Sequence, residues 1–175
     1  MTELRTERLL LRPLRLDDAP SYAAMRFNPA VAEWLPTATQ PPLDAARAAI
    51  GRFADAWRDR GYSVWGLFRD GALIGHGGLN HVAEFAGTEV LWALHPDAWG
   101  KGYASELARA ALAFGFERFD LPAIFAITKP DNRASRAVME RCSLSYRSDG
   151  NYKGFDVVYY DIDRASWLKT RRDRA

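Results

Sequence analysis

The chain has 175 residues, 48% of them apolar and 26% charged, with one cysteine and a formal net charge of +2. That is length enough for one domain with a full core; it argues against a disordered chain and a disulfide-stapled scaffold, and no apolar run reaches the length of a membrane span. The last seven residues hold Lys169, Arg171, Arg172 and Arg174 against Asp173, a net of +3 that leaves the rest near −1, so residues 169–175 are expected to form a solvated basic tail and a nucleic-acid partner is not expected.

The N-terminal residues are charged and carry no apolar signal core, and the lone Cys142 fits a reducing compartment; a cytoplasmic protein is the expectation. Residues 9–14 read as a first strand. Asp17 is placed to cap a helix running through Tyr22 and Met25, which Asn28-Pro29 breaks, and Val31, Trp34 and Leu35 suggest a short second helix. A proline-rich loop follows. Residues 43–60 repeat Ala46, Ile50, Phe53, Ala54 and Trp57 at helical spacing, and Gly61 ends that helix.

Residues 62–68 and 73–80 are paired strands around the Asp70-Gly71 turn. Residues 89–94 form the next strand. Trp99-Gly100-Lys101-Gly102-Tyr103-Ala104 is a glycine-rich loop that opens a helix carrying Leu107, Ala111 and Phe114, with Ala108 and Leu112 beside them. Residues 123–128 return as a strand, and residues 132–142 form another helix. Strands over 144–147 and 155–160, joined through residues 150–154, close the chain. Three consecutive strands followed by a βαβ unit predict a mixed sheet with helices on its faces.

Backbone N–H groups left unpaired at a helix N-terminus, next to glycines that let a ligand approach, make the loop an anion site, with phosphate the usual anion. Dinucleotide and nucleoside-triphosphate sites fit poorly. Ser105 stands where a third glycine or alanine is wanted, the motif lies in mid-chain, and no P-loop Lys-Ser/Thr is present.

The loop resembles the acyl-CoA pyrophosphate loop of the GCN5-related N-acetyltransferases, the GNAT superfamily, whose pattern is Arg or Gln, two residues, Gly, one residue, Gly or Ala. With Trp99 directly before the first glycine, the loop resembles that of the branch containing ribosomal-protein N-terminal acetyltransferases. Arg8-Leu9-Leu10-Leu11-Arg12-Pro13, Asn28-Pro29-Ala30-Val31, and Asn132-Arg133-Ala134-Ser135 with Val138-Met139-Glu140 are similar to other segments of that branch. The resemblance spans about residues 8–167.

It implies an α+β fold: a mixed, mostly antiparallel sheet of about seven strands, flanked by helices and splayed at the acyl-CoA site, as one domain over residues 1–175. It also implies acetyl-CoA as co-substrate, no metal, an amine acceptor and a homodimer built on the late strands. Where relatives have Leu-Gly-Phe after the second CoA-contacting helix, this chain has Cys142-Ser143-Leu144. Ser143 takes the place of a glycine that relaxes a left-handed helix end, so a modified terminus is expected there.

By the same resemblance, backbone groups of Trp92, Ala93 and Leu94 would hold pantetheine, with the Leu94 N–H polarising the thioester carbonyl as an oxyanion hole does. Backbone N–H groups of Gly100, Lys101, Gly102, Tyr103 and Ala104 would hold the pyrophosphate, with Trp99 at the head of the loop. Asn132 would bond the pantetheine amide, with Ser135 on the same helix face; the alternative is helix capping by Asn132. Arg133, Arg136 and Arg141 are candidates for the 3′-phosphate, and surface solvation is the plainer role for each.

Acetyl transfer to an amine needs a base for the ammonium and a proton for the leaving thiolate. Glu89 is the candidate base, on the strand of Leu94, where burial would raise its pKa. His76 and His81 are rivals. Relatives often place a tyrosine acid at the position of Met139, which cannot donate; Ser135 or water would serve, with Tyr103 and Tyr152 as weaker options. Cys142, at a helix C-terminus where the dipole disfavours a thiolate, is a poor nucleophile, so direct attack in a ternary complex is expected. Trp34 and Phe27 are the aromatics expected at the acceptor, whose identity the sequence leaves open. The missing tyrosine also leaves open a non-catalytic acyl-CoA sensor on the same fold.

Overall fold

A computed structural model describes residues 2–172. It contains β1 (Leu4–Arg5), β2 (Leu10–Pro13), α1 (Ala19–Arg26), α2 (Pro29–Ala32), α3 (Pro42–Arg60), β3 (Val64–Arg69), β4 (Ala72–Val82), β5 (Gly87–Leu94), α4 (Tyr103–Arg118), β6 (Ala123–Thr128), α5 (Arg133–Arg141), β7 (Ser145–Tyr152), β8 (Phe155–Asp163) and α6 (Arg164–Arg172). The hydrogen-bonded strand order is β1-β2-β3-β4-β5-β6-β8-β7, one strand more than the seven expected. β5 and β6 run parallel; the β1–β2, β2–β3, β3–β4, β6–β8 and β7–β8 ladders are antiparallel. Among the described residues no helix is long and apolar enough to cross a membrane.

The chain divides into two compact units, Met1–Gly78 with Trp92–Leu107, and Leu79–Leu91 with Ala108–Ala175. In the first unit, α3 turns Ala46, Ala49 and Ile50 into an apolar cluster with Leu14, Tyr22, Met25 and Val31. The helical spacing of those α3 residues is what puts them on one face. Ala93 of β5 joins the same cluster. The two-residue β3–β4 turn has both centres at positive φ, Asp70 at 51° and Gly71 at 81°, the turn that matches strand twist.

Asp17 does not cap α1. It lies in a 3-10 turn over Leu16–Asp18, and Asp18 is the residue that leads into the helix. The Asp18 side chain makes no cap bond there. It accepts from both terminal nitrogens of Arg12 at 2.8 Å and from the Arg15 backbone N–H at 2.7 Å. A bidentate guanidinium is a stronger partner than a single cap bond, and it wins the carboxylate.

In the second unit, β6 pairs with β8 along its whole length, from Ala123–Asp163 to Thr128–Val158. β7 continues through Gly150 to Tyr152, so the expected connection is two strands and a short turn at Lys153-Gly154. The expected basic tail is partly helix. Lys169, Arg171 and Arg172 belong to α6, whose Trp167 packs on Phe116 at 5.0 Å between ring centroids. Arg171 pairs with Glu117 and lies over the Trp167 ring. The last three residues, with Asp173 and Arg174, fall outside the described residues.

Candidate functional site

In the first unit, β5 ends at Leu94 and a short turn delivers the glycine loop. The His95 N–H donates to Ile74 of β4 at 2.8 Å, and His95 Nδ1 accepts from the Asp97 N–H at 3.3 Å. Trp99 then donates its indole N–H to the Leu94 carbonyl at 2.8 Å. Gly100 and Gly102 follow at φ of 72° and 81°, left-handed conformations that a side chain would strain, and α4 begins at Tyr103.

The loop is fastened from outside as well. Arg8 donates to the Lys101 carbonyl at 2.9 Å and lies over the Tyr103 ring at 4.7 Å. Glu106, one turn into α4, accepts from the Thr6 hydroxyl at 2.5 Å, the Arg8 N–H at 2.8 Å and Arg8 Nε at 2.7 Å. Burial works against the Glu106 charge, but the Thr6 and Arg8 bonds hold its carboxyl below the usual range. Lys101 is exposed and Tyr103 buried, with Arg69 also over its ring at 5.3 Å. Tyr103 is therefore a stacking surface for two guanidiniums.

A close approach sits at the end of β5. A Cβ on Gly75 would lie 2.7 Å from the Ala93 carbonyl and 3.1 Å from Leu94 Cα, so only glycine lets β4 pass there without a shift.

In the second unit, the β5–β6 ladder comprises two residue pairs, Thr88–Ile124 and Glu89–Phe125. β5 runs on five residues beyond that point. Glu89 is partly buried, and its burial raises the carboxyl from 4.5 to about 7, against a hydrogen bond from Asn80 and the charge of Lys153. Phe125, its strand partner, stacks on Tyr159 at 5.1 Å and meets Phe85 edge-on at 5.1 Å. The Glu89 carboxyl thus has one amide donor and the charge of Lys153 set against its burial.

Asn80 and Lys153 escaped the sequence reading. Asn80 lies at the exposed end of the strand that precedes β5 in the chain, beside another polar residue, His81, so its position does not mark it out. Lys153 lies in the β7–β8 turn, and nothing local to it points to Glu89.

On α5, Asn132 is the N-cap: its side-chain oxygen accepts from the Ser135 N–H at 3.0 Å. The capping alternative is realised, and the Asn132 amide nitrogen is the group left to serve a ligand. Ser135 is half-buried. Arg136 donates to the Tyr160 hydroxyl and to the Pro130 carbonyl, each at 3.2 Å, which makes it a structural brace. Arg133 is exposed, and the Arg141 carbonyl accepts from Arg109. Met139 and Cys142 are buried. Tyr160, also buried, donates to Glu140 at 3.3 Å.

The terminus of α5 is not rebuilt around serine. Ser143 itself takes φ 67°, with its N–H on the Glu140 carbonyl at 2.9 Å and the Leu144 N–H on the Met139 carbonyl at 3.0 Å. That is the complete Schellman pattern with a Cβ at its left-handed position.

The histidines separate. His76, in the first unit, is buried, shares a 2.8 Å hydrogen bond with the Tyr22 hydroxyl and packs against Phe53. Burial, with the charge of Arg26, lowers it from 6.5 to about 3, so it is a neutral core residue. His81 is exposed. Phe27 and Trp34 are half-buried, and Arg26 lies over the Phe27 ring.

Residues 8–145 match the family model described as Acetyltransferase (GNAT) domain. An uncharacterized N-acetyltransferase of Bacillus subtilis (strain 168), YoaA, is 28% identical over 174 residues, covering 96% of this chain and 97% of the relative. The crystal structure of an acetyltransferase from Agrobacterium tumefaciens superposes with a TM-score of 0.81 at 28% identity, over 93% of this chain and 94% of that one. A ribosomal-protein-S5-alanine acetyltransferase from Vibrio fischeri has the same fold, with a TM-score of 0.81 at 14% identity, over 95% and 99% of the two chains.

Proposed function

The chain belongs to the GNAT acetyltransferase family, and from that premise we propose that it transfers an acetyl group from acetyl-CoA directly to a primary amine in a ternary complex. The observation that carries the mechanism is Glu89, a carboxyl raised to about 7 on the strand that ends at Leu94. A base that changes charge near neutral pH can accept a proton from an ammonium and still be regenerated.

The residues present fit acetyl-CoA. The left-handed glycines at 100 and 102 and the α4 N-terminus would hold the pyrophosphate. The two-pair β5–β6 ladder supports a role for the backbone of Trp92, Ala93 and Leu94 in holding pantetheine, and the Asn132 amide would add a donor. Acetyl-CoA supplies a thioester whose C–S bond breaks as the N–C bond of the amide forms, releasing CoA.

Glu89 takes the proton from the ammonium. The Leu94 N–H donates to the acyl oxygen as charge develops on it. The Ser135 hydroxyl or a water returns a proton to the thiolate. Every β7 residue except Tyr152 is exposed, and β7 ends the strand order, which supports a homodimer formed along it.

The test is CoA release from acetyl-CoA over a panel of amines, together with calorimetric binding of acetyl-CoA. Binding with turnover, and binding without turnover in Glu89→Gln, is the expected pair of results. Absence of acetyl-CoA binding by the folded protein removes the proposal. Binding with turnover undiminished in Glu89→Gln removes the base.

A further inference from the structure

The first unit contains a cavity of about 380 Å³ between the end of α1, the loop over residues 36–40 and the start of α3. Its floor is buried: Tyr22, Ala46 and Ala49. Arg26 and Arg52 stand in its wall, and no aspartate or glutamate lines it. Among the described residues neither arginine makes an ion pair; Arg26 spends one N–H on the Pro36 carbonyl at 2.6 Å and lies over the Phe27 ring.

Burial lowers the Arg26 guanidinium, with only Tyr22 acting against it. Both arginines also act on the Tyr22 hydroxyl, which is hydrogen-bonded to His76. A partly desolvated guanidinium without a counter-anion gains more from an arriving carboxylate than a solvated one does. The volume is at the small end of the range for small-molecule sites. The floor residues share an apolar cluster with Ala93, the neighbour of Leu94 on β5.

We infer that this cavity receives the carboxylate of the acetyl acceptor, so that the acceptor is a small amine that is itself an acid, with Arg26 and Arg52 as its specificity residues. The inference rests on the acetyl-transfer reading above. An α-amino acid has the required pair of groups. A polyamine has the wrong charge: it would place cations against two guanidiniums.

The experiment compares CoA release with the common α-amino acids, their carboxamides, and the polyamines putrescine and spermidine. Some amino acid is expected to have a kcat/KM at least tenfold above that of its carboxamide, with polyamines inactive. Arg52→Gln, at an exposed position, is expected to raise KM for that acid at least fivefold and leave the acetyl-CoA dissociation constant unchanged. Carboxamides or polyamines used as well as the acids, or an unmoved KM in Arg52→Gln, overturn the inference. If no amine is turned over, the acetyl-transfer reading fails first. Calorimetry of the same acids and carboxamides with the CoA-loaded protein then decides the cavity. Preferential acid binding that Arg52→Gln abolishes upholds it; equal binding or none overturns it.

Discussion

The indole N–H of Trp99 is hydrogen-bonded to the carbonyl of Leu94, closing the turn between β5 and the glycine loop with a side chain instead of a backbone bond. The Leu94 carbonyl is thereby engaged, and the N–H of the same residue is the group proposed to meet the acyl oxygen. Trp99 is otherwise 46% exposed, so its hydrogen bond, and not its burial, explains its place at the head of the loop.

Trp99→Phe keeps the ring and deletes the donor. The lost hydrogen bond is worth about 1 kcal/mol, so a lower melting temperature is expected, and, where acetyl-CoA has to re-order the loosened loop, up to roughly a fivefold weaker hold on it. A melting curve measures the first and titration calorimetry with acetyl-CoA the second. No change in either would detach the loop from the strand.

Glu89 gives a pH signature in both activity and stability. kcat/KM should rise through pH 7 as the carboxyl ionises, and Glu89→Gln should lose that limb with most of the turnover. The unfolded chain gives up this proton near 4.5, the folded chain near 7. Folding is therefore penalised fully above pH 7 and not at all below about 4.5. Glu89→Gln should accordingly be the more stable protein at pH 8, by on the order of 2 kcal/mol once its partial exposure and the Asn80 bond are allowed for, and the gain should vanish at pH 4. Urea unfolding at the two pH values reads it.

Tyr22→Phe removes the hydroxyl that is hydrogen-bonded to the buried His76 ring. Leaving an imidazole nitrogen unsatisfied in the core should cost about 1–3 kcal/mol. His76 stays neutral in the fold down to about 3, whereas the unfolded chain protonates it at 6.5. Wild-type stability should then fall as pH drops from 6.5 toward 3, and His76→Leu should flatten that slope. A urea midpoint series across this range checks both.

Ser143→Gly should stabilise the protein. A non-glycine residue at φ 67° is strained by about 1 kcal/mol, and glycine relieves it with the Schellman bonds intact. The greater freedom of glycine in the unfolded chain returns part of that, so a rise of about 0.5 kcal/mol in unfolding free energy is expected.

What the sequence made legible was local. β6 appears over the residues expected, because an apolar run bounded by Pro122 and Pro130 has few alternatives, and the α5 start is marked by its own Asn132 cap. α6 is not legible because, of its nine residues, only Trp167 is buried, and a basic end reads as a tail. The second half of β7 is not legible because the strand is exposed on both faces and shows no alternation. Among the candidate site residues, the glycine loop and Glu89 were readable from spacing and strand position. Asn80, Lys153 and the Arg8–Glu106 bonds were not, since each joins residues that only the folded chain brings together.

The Thr6 and Arg8 bonds to Glu106 span about a hundred positions of chain. During synthesis, the N-terminal segment leaves the ribosome long before its partner exists, and at 5–20 residues per second it waits several seconds for Glu106 to emerge. Local pairs such as β3 with β4 can close in that interval, while the strap over the glycine loop cannot. The glycine loop is therefore a late-maturing part of the molecule, fastened only when residues 6–8 meet Glu106.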